Sequence, residues 1–183
     1  MPDQSTSYMG FKLKNPIIAG SSGLNKSVEN LQSLEKHGAA AVVLKSLFEE
    51  QIMHKINKVY SDNNQVFAYT EADDYISNYT REKDVSDYLN LIEGSKKALS
   101  IPVIASINCI SASEWIAFAK KMENAGADGL ELNIFILPSD PKRDGLQNEQ
   151  VYFDIVTAFE LQGRAYIPPV DCHLAFLDQL LNM

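Results

Sequence analysis

Two stretches, EKHGAAAVVLK at residues 35–45 and ENAGADGLELN at residues 123–133, follow the same plan. Each has a helix end, a Gly-Ala step and then a strand closing on a polar residue. Gly38 and Gly126 supply left-handed helix stops. Ala39 to Leu44 is an unbroken apolar run, as a parallel strand covered on both faces should be, and Gly129 to Ile134 is a further strand. In this register Lys45 and Asn133 occupy equivalent positions at the C-terminal ends of their strands. The chain therefore repeats a structural unit, and in a parallel barrel that end is where the active site is built.

Upstream, Ser7 to Lys14 alternates loosely around Met9, Phe11 and Leu13, with Gly10 as a turn, which suggests short strands or a hairpin. Pro16 to Ala19 is an apolar run leading into the loop Gly20 to Gly23. Val28, Leu31 and Leu34 recur at helical spacing between Ser27 and His37. Strand, helix and strand in that order make one βαβ unit.

Residues 49–83 are polar and show no sustained period, so they are expected to form a long loop with short helical pieces, of the kind that usually serves function. Val85, Tyr88, Leu89, Ile92 and Leu99 mark a second helix, with Gly94 a blemish inside it. Ile101 to Ile107 is a third buried strand. Ser111 with Glu114 fits a capping box for a third helix running to Ala125. A fourth helix is expected from about Asn148 to Gly163. Ala165 to Val170 could be a fifth strand, but Pro168 and Pro169 remove ladder hydrogen bonds.

The composition is that of an ordinary globular chain: 183 residues, 45% hydrophobic and 22% charged. A net charge of −8 argues against nucleic acid or an anionic membrane as partner, since both need clustered Lys and Arg. A small-molecule substrate is expected instead. Cys109 and Cys172 form no CxxC motif, which suits a reducing cytoplasm. No basic-then-apolar leader opens the chain, and no run approaches the ~18 apolar residues of a membrane span. His37, His54 and His173 form no spaced pair with carboxylates, so no metal is expected. Glu71, Asp73 and Asp74 read as a solvated loop face. A GxGxxG turn is missing, which disfavours a dinucleotide-binding domain.

Lys45 follows five apolar residues, and an ammonium there needs a counter-ion or an electron-rich ligand. An ion pair with Glu131 is the structural explanation, and a Schiff-base lysine is a rival functional one. Asn108 and Asn133 could each read the edge of a heterocycle or merely satisfy loop backbone. Three polar strand ends together with the GSSG turn favour a ligand.

In order, MGFKLKNPIIAGSSGL, AAVVLKSLFEEQI, IPVIASINCIS and GADGLELNIFILPSDP resemble the dihydroorotate dehydrogenases and their less well assigned relatives, from about Tyr8 to Phe159. The resemblance implies an FMN-containing (β/α)₈ barrel that transfers a hydride from a carbon–carbon single bond to the flavin. By carry-over, Ser21, Ser22 and Gly23 match the loop along the flavin. Lys45 and Ser46 match the pair at the isoalloxazine, where a cation stabilises the reduced ring. Asn133 matches the asparagine of the ELN motif, and Asn108 is a weaker match.

Three departures accompany the resemblance. Where the Cys-type members carry their base, three residues after the asparagine, this chain has Ile136, with Ser139 nearby but off register. VFAYTEADDYI replaces the loop that binds orotate, which points to another substrate. An eight-stranded barrel takes about 250 residues, so 183 cover about the first four or five βα units in one domain, family-like over 1–160 with a divergent tail at 161–183. The expected function is an FMN-dependent CH–CH oxidoreductase in truncated form. The alternative is a non-catalytic half-barrel whose open edge associates with a partner or as a homo-oligomer.

Overall fold

The computed structural model describes residues 3–48, 70–108, 112–134, 142–160 and 170–172. It opens with a hairpin, β1 (Thr6–Tyr8) against β2 (Phe11–Leu13), in which Tyr8 faces Phe11 across the two-residue turn Met9-Gly10. Both turn residues have positive φ, 50° and 80°, the backbone that matches the twist of the flanking strands. Leu13 is buried, and Tyr8 and Phe11 pack with it against Ala40 and Ala41. The small alanines thus receive the hairpin at the N-terminal end of the sheet.

The main sheet contains β3 (Ile18–Ala19), β4 (Ala41–Val43), β5 (Leu47–Phe48), β6 (Val103–Asn108), β7 (Gly129–Leu132) and β8 (Val170–Cys172), all paired in parallel. Its order is β3-β4-β6-β7-β8, with β5 prolonging β4 along the same side of β6. Between the strands run α1 (Val28–Lys36), α2 (Thr70–Ala98), α3 (Ala112–Asn124) and α4 (Gly145–Glu160). Consecutive strands are neighbours and every crossover advances in one direction. Right-handed crossovers then place all helices on one face, whereas a doubly wound sheet reverses its order.

The core agrees with this winding. Leu31, Ile92, Met122 and Ile155, one from each helix, share a cluster with Val42, Val103, Ala105, Leu130 and Leu132 of the sheet. Strand residues of the other parity, Ser106, Asn108, Glu131 and Asn133, turn away from the helices. The chain is therefore an α/β fold built on a parallel sheet of sequential order.

The repeated stretches adopt the same helix stop. In α1, Gly38 N–H bonds to Glu35 C=O and Ala39 N–H to Leu34 C=O; in α3, Gly126 and Ala127 bond likewise to Glu123 and Met122. Both glycines lie in the left-handed region, at φ 107° and 93°, as this terminator requires. Ser27 caps α1, its side chain accepting from Asn30 N–H. No helix among the described residues is long and apolar enough to cross a membrane.

One expectation needs correction. From Thr70 the expected loop is helix, continuous to Ala98. In sequence its first half carries Ala72, Tyr75, Ile76 and Tyr79 at helical spacing, a short stripe set among charged and polar residues that made the stretch look like a loop. A fifth strand is present at Val170–Cys172, which meets the expected Ala165 to Val170 at Val170. Residues 161–169 and the rest of the tail lie outside the described residues. Gly94 also has a purpose: a Cβ there would stand 3.1 Å from Val28 Cγ2, so glycine allows α1 and α2 to approach.

Candidate functional site

The C-terminal strand ends are organised by one irregularity in the sheet. Val43 pairs with Ile104, and the next registered pair is Leu47 with Ile107. Leu44, Lys45 and Ser46 therefore oppose only Ala105 and Ser106. This is a β-bulge, a device that re-aims side chains. Its consequence is that Lys45 and Ser46, adjacent in sequence, need not alternate across the sheet.

A bulge leaves partner backbone unpaired, and here a side chain repairs it. Val103 and Ile107 direct their carbonyls to β7, while Ile104 accepts from Leu44 N–H on the β4 side. Alternation turns the Ser106 peptide groups toward the bulge. There the Tyr88 hydroxyl accepts from Ser106 N–H at 2.9 Å and donates to Ser106 C=O at 3.0 Å. Burial pushes this hydroxyl well above the usual tyrosine range, with the Ser106 bond opposing and the Glu131 charge reinforcing the shift.

Away from the helices, a file of polar side chains crosses four strand positions. Ser21 Oγ lies 3.1 Å from Ser46 Oγ and accepts from Ser46 N–H at 2.9 Å. Ser46 Oγ lies 2.6 Å from Ser106 Oγ, and Ser106 donates to Glu131 Oε1 at 2.5 Å. Ser46, Ser106 and Glu131 are all buried. Asn25, only 1% exposed, fixes the loop that bears Ser21: its Nδ2 donates to the carbonyls of Ala19, Gly20 and Val43.

Lys45 is half-buried, and its ammonium lies 5.7 Å from the centre of the Phe48 ring. No described carboxylate pairs with it. The expected pair with Glu131 is not formed, and Glu131 instead accepts from Ser106. Phe48 is the register partner of Asn108, whose Nδ2 donates to Asn133 C=O at 2.6 Å. Asn108 thus serves loop backbone. The half-buried Asn133 amide has no hydrogen-bond partner among the described residues.

The expected residues divide accordingly. Ser21 and Ser46 are bonded together, Lys45 sits beside them on the bulge, and Asn108 holds Asn133 two strands away. Ser22 instead serves its own loop, accepting from Leu24 N–H at 3.3 Å, and nothing ties Gly23 to Ser46. Ile136 and Ser139, Cys109 and the residues 66–69 of the substituted loop lie outside the described residues. Ser106, Tyr88 and Asn25 were missed from sequence. For Ser106 a signal existed: it interrupts VIASIN with the same parity as Asn108.

Similarity to known proteins bears on this rim. The catalytic subunits of dihydroorotate dehydrogenase B (NAD(+)) from Thermoplasma volcanium and Thermoplasma acidophilum are 31% and 30% identical to the chain over 137 residues, 73% of its length. The chain is related to the dihydroorotate dehydrogenases. It spans 42% of the length of these relatives, well under half. No protein-family model matches the sequence. A solved structure, PhdJ bound to substrate intermediate, overlaps 79% of this chain and 41% of its own, with 13% identity and a TM-score of 0.44. Nothing further rests on that overlap.

Proposed function

We propose that the chain supplies flavin-facing strand ends of an FMN-dependent oxidoreductase of the dihydroorotate dehydrogenase-like group, acting on a CH–CH bond. The observation that carries this is Lys45: a half-buried lysine on a bulge, its ammonium near an aromatic ring and with no described carboxylate beside it. Such a cation favours a ligand on which negative charge develops. The parallel sheet of sequential order fits the first five strands of a (β/α)₈ barrel, and the polar groups gather at the strand ends where such barrels place their chemistry.

Lys45, Ser46, Ser21 and the Asn133 amide would hold the ring, with Asn108 positioning Asn133; Ser22 and Gly23 would line the approach. FMN supplies the two-electron acceptor for hydride leaving a saturated carbon. The protein's own part is electrostatic. Lys45 sets positive charge at the rim, the bulge holds Ser46 beside it, and burial of Ser46, Ser106 and Glu131 excludes water from the polar file. Dihydroorotate is disfavoured as substrate because Ile136 stands where a base would be needed. Adding FMN, desalting and recording the absorption spectrum tests the reading. Retained flavin bands are expected; a spectrum of protein alone would refute it.

A second reading, a half-barrel that pairs with another copy, is favoured by one feature. β3 has a single strand neighbour among the described residues, and the flanking Ile17 and Leu24 are 62% and 64% exposed. Sedimentation of the FMN-free chain distinguishes the two, a dimer supporting the second.

A further inference from the structure

Counting protons along the polar file fixes a property of the rim that the distances alone do not. Ser106 donates its single hydroxyl proton to Glu131 Oε1. Toward Ser46 Oγ, 2.6 Å away, Ser106 can then only accept, so the Ser46 proton points at Ser106. Ser21 Oγ, 3.1 Å from Ser46 Oγ, must in turn donate to it, while accepting from Ser46 N–H. All three hydroxyls are aligned toward β7. Ser106 and Glu131 are 0% and 5% exposed, so bulk water does not compete for these bonds.

We infer that Glu131 is a positioning residue that sets the hydrogen-bond polarity of the rim. With its carboxylate accepting from Ser106, the exposed Ser21 and its partner Ser46 offer a ligand lone pairs and no proton. Lys45, next in sequence to Ser46, offers protons and no lone pair. A planar edge seated against both must carry an acceptor and an N–H close together, as a lactam or an imide does. An edge of acceptors alone satisfies Lys45 and meets oxygen lone pairs at Ser21 and Ser46, which discriminates against it.

The inference rests on the flavin reading and deepens it, because the ring of oxidised FMN has one N–H, N3, set between two carbonyls. Glu131 acts through Ser106 and Ser46 and need not touch the ring.

The test compares FMN with its N3-methyl analogue, each titrated into flavin-free protein and read by quenching of flavin fluorescence. Both ligands carry the same charge, so their affinity ratio reports the hydrogen bond and cancels the electrostatic effect of changing Glu131. Wild type is expected to prefer FMN about tenfold, as a site built to bond an N–H rejects the analogue lacking it. Glu131→Met, which removes the acceptor and lets the hydroxyls turn, should bring the ratio to within about twofold. Glu131→Gln keeps an oxygen facing Ser106 and should restore it. Ser106→Ala breaks the file at its centre, with little change of volume, and should match Glu131→Met; it stands in if that variant fails to fold. Equal affinities in wild type, or an undiminished ratio in Ser106→Ala, overturn the inference and leave the flavin reading intact. Failure of wild type to bind either ligand overturns both.

Discussion

The Tyr88 hydroxyl, carried on α2, stands in for a strand neighbour of Ser106, meeting both peptide groups that the bulge at Leu44–Ser46 leaves unpaired. One phenol thus allows a parallel sheet to place Lys45 and Ser46 beside one another without orphaning the backbone opposite.

Tyr88→Phe removes this repair while preserving the ring and its packing. Two buried peptide groups lose their partner, at roughly 1–3 kcal/mol each. Urea denaturation at neutral pH should show a loss of about 2–6 kcal/mol. A loss under 0.5 kcal/mol would mean that the sheet closes over the bulge without the hydroxyl.

The same residue gives stability a signature in alkali. The Tyr88 pKa is raised in the folded protein, above the ordinary value of 10.0, first by burial. The neutral phenol is thus favoured by folding, and its contribution is full below pH 10 and is lost as pH rises through the folded value. Unfolding free energy should fall more steeply above pH 10 in wild type than in Tyr88→Phe. Parallel curves for the two proteins would contradict this.

Asn25 is expected to be sensitive to a change of one functional group. Asn25→Asp replaces the donating Nδ2 by a carboxylate oxygen that faces the carbonyls of Ala19, Gly20 and Val43 in a buried place. The cost should be about 3–5 kcal/mol, that of an uncompensated buried charge. Thermal unfolding reads it, and a melting temperature equal to wild type at pH 7 would show that the loop does not depend on this clamp.

Gly94→Leu tests the contact between α1 and α2. Leucine is the better helix former, so α2 alone would gain. The added side chain starts 3.1 Å from Val28 Cγ2, however, and overpacking should outweigh that gain, for a net loss of about 1–3 kcal/mol by urea denaturation. A stabilised variant would place slack between the helices.

How much of this was legible in sequence depends on periodicity. The strands and α1 announced themselves through apolar runs and glycine stops, and the twin stretches ending at Lys45 and Asn133 fixed the sequential plan. The first half of α2 did not, because its short stripe, Ala72, Tyr75, Ile76 and Tyr79, lies among so many charged and polar residues that the stretch resembles a polar loop. Lys45 was visible as a charge behind an apolar run, but its neighbour could not be inferred. The expected pair with Glu131 left no room for Ser46, which the bulge brings to the same face as Lys45, and Ser106 takes the carboxylate. Tyr88 read as one more apolar helix residue, since nothing in its spacing reveals that its hydroxyl completes a sheet.

Lys45 separates stability from binding. No described carboxylate loses a partner in Lys45→Ala, so unfolding free energy should hold or rise slightly, while the rim loses its cation. The direct measurement is the FMN dissociation constant of wild type and Lys45→Ala at matched ionic strength. At least tenfold weaker binding by a stably folded Lys45→Ala is expected; equal constants would contradict the assignment of this rim to a flavin.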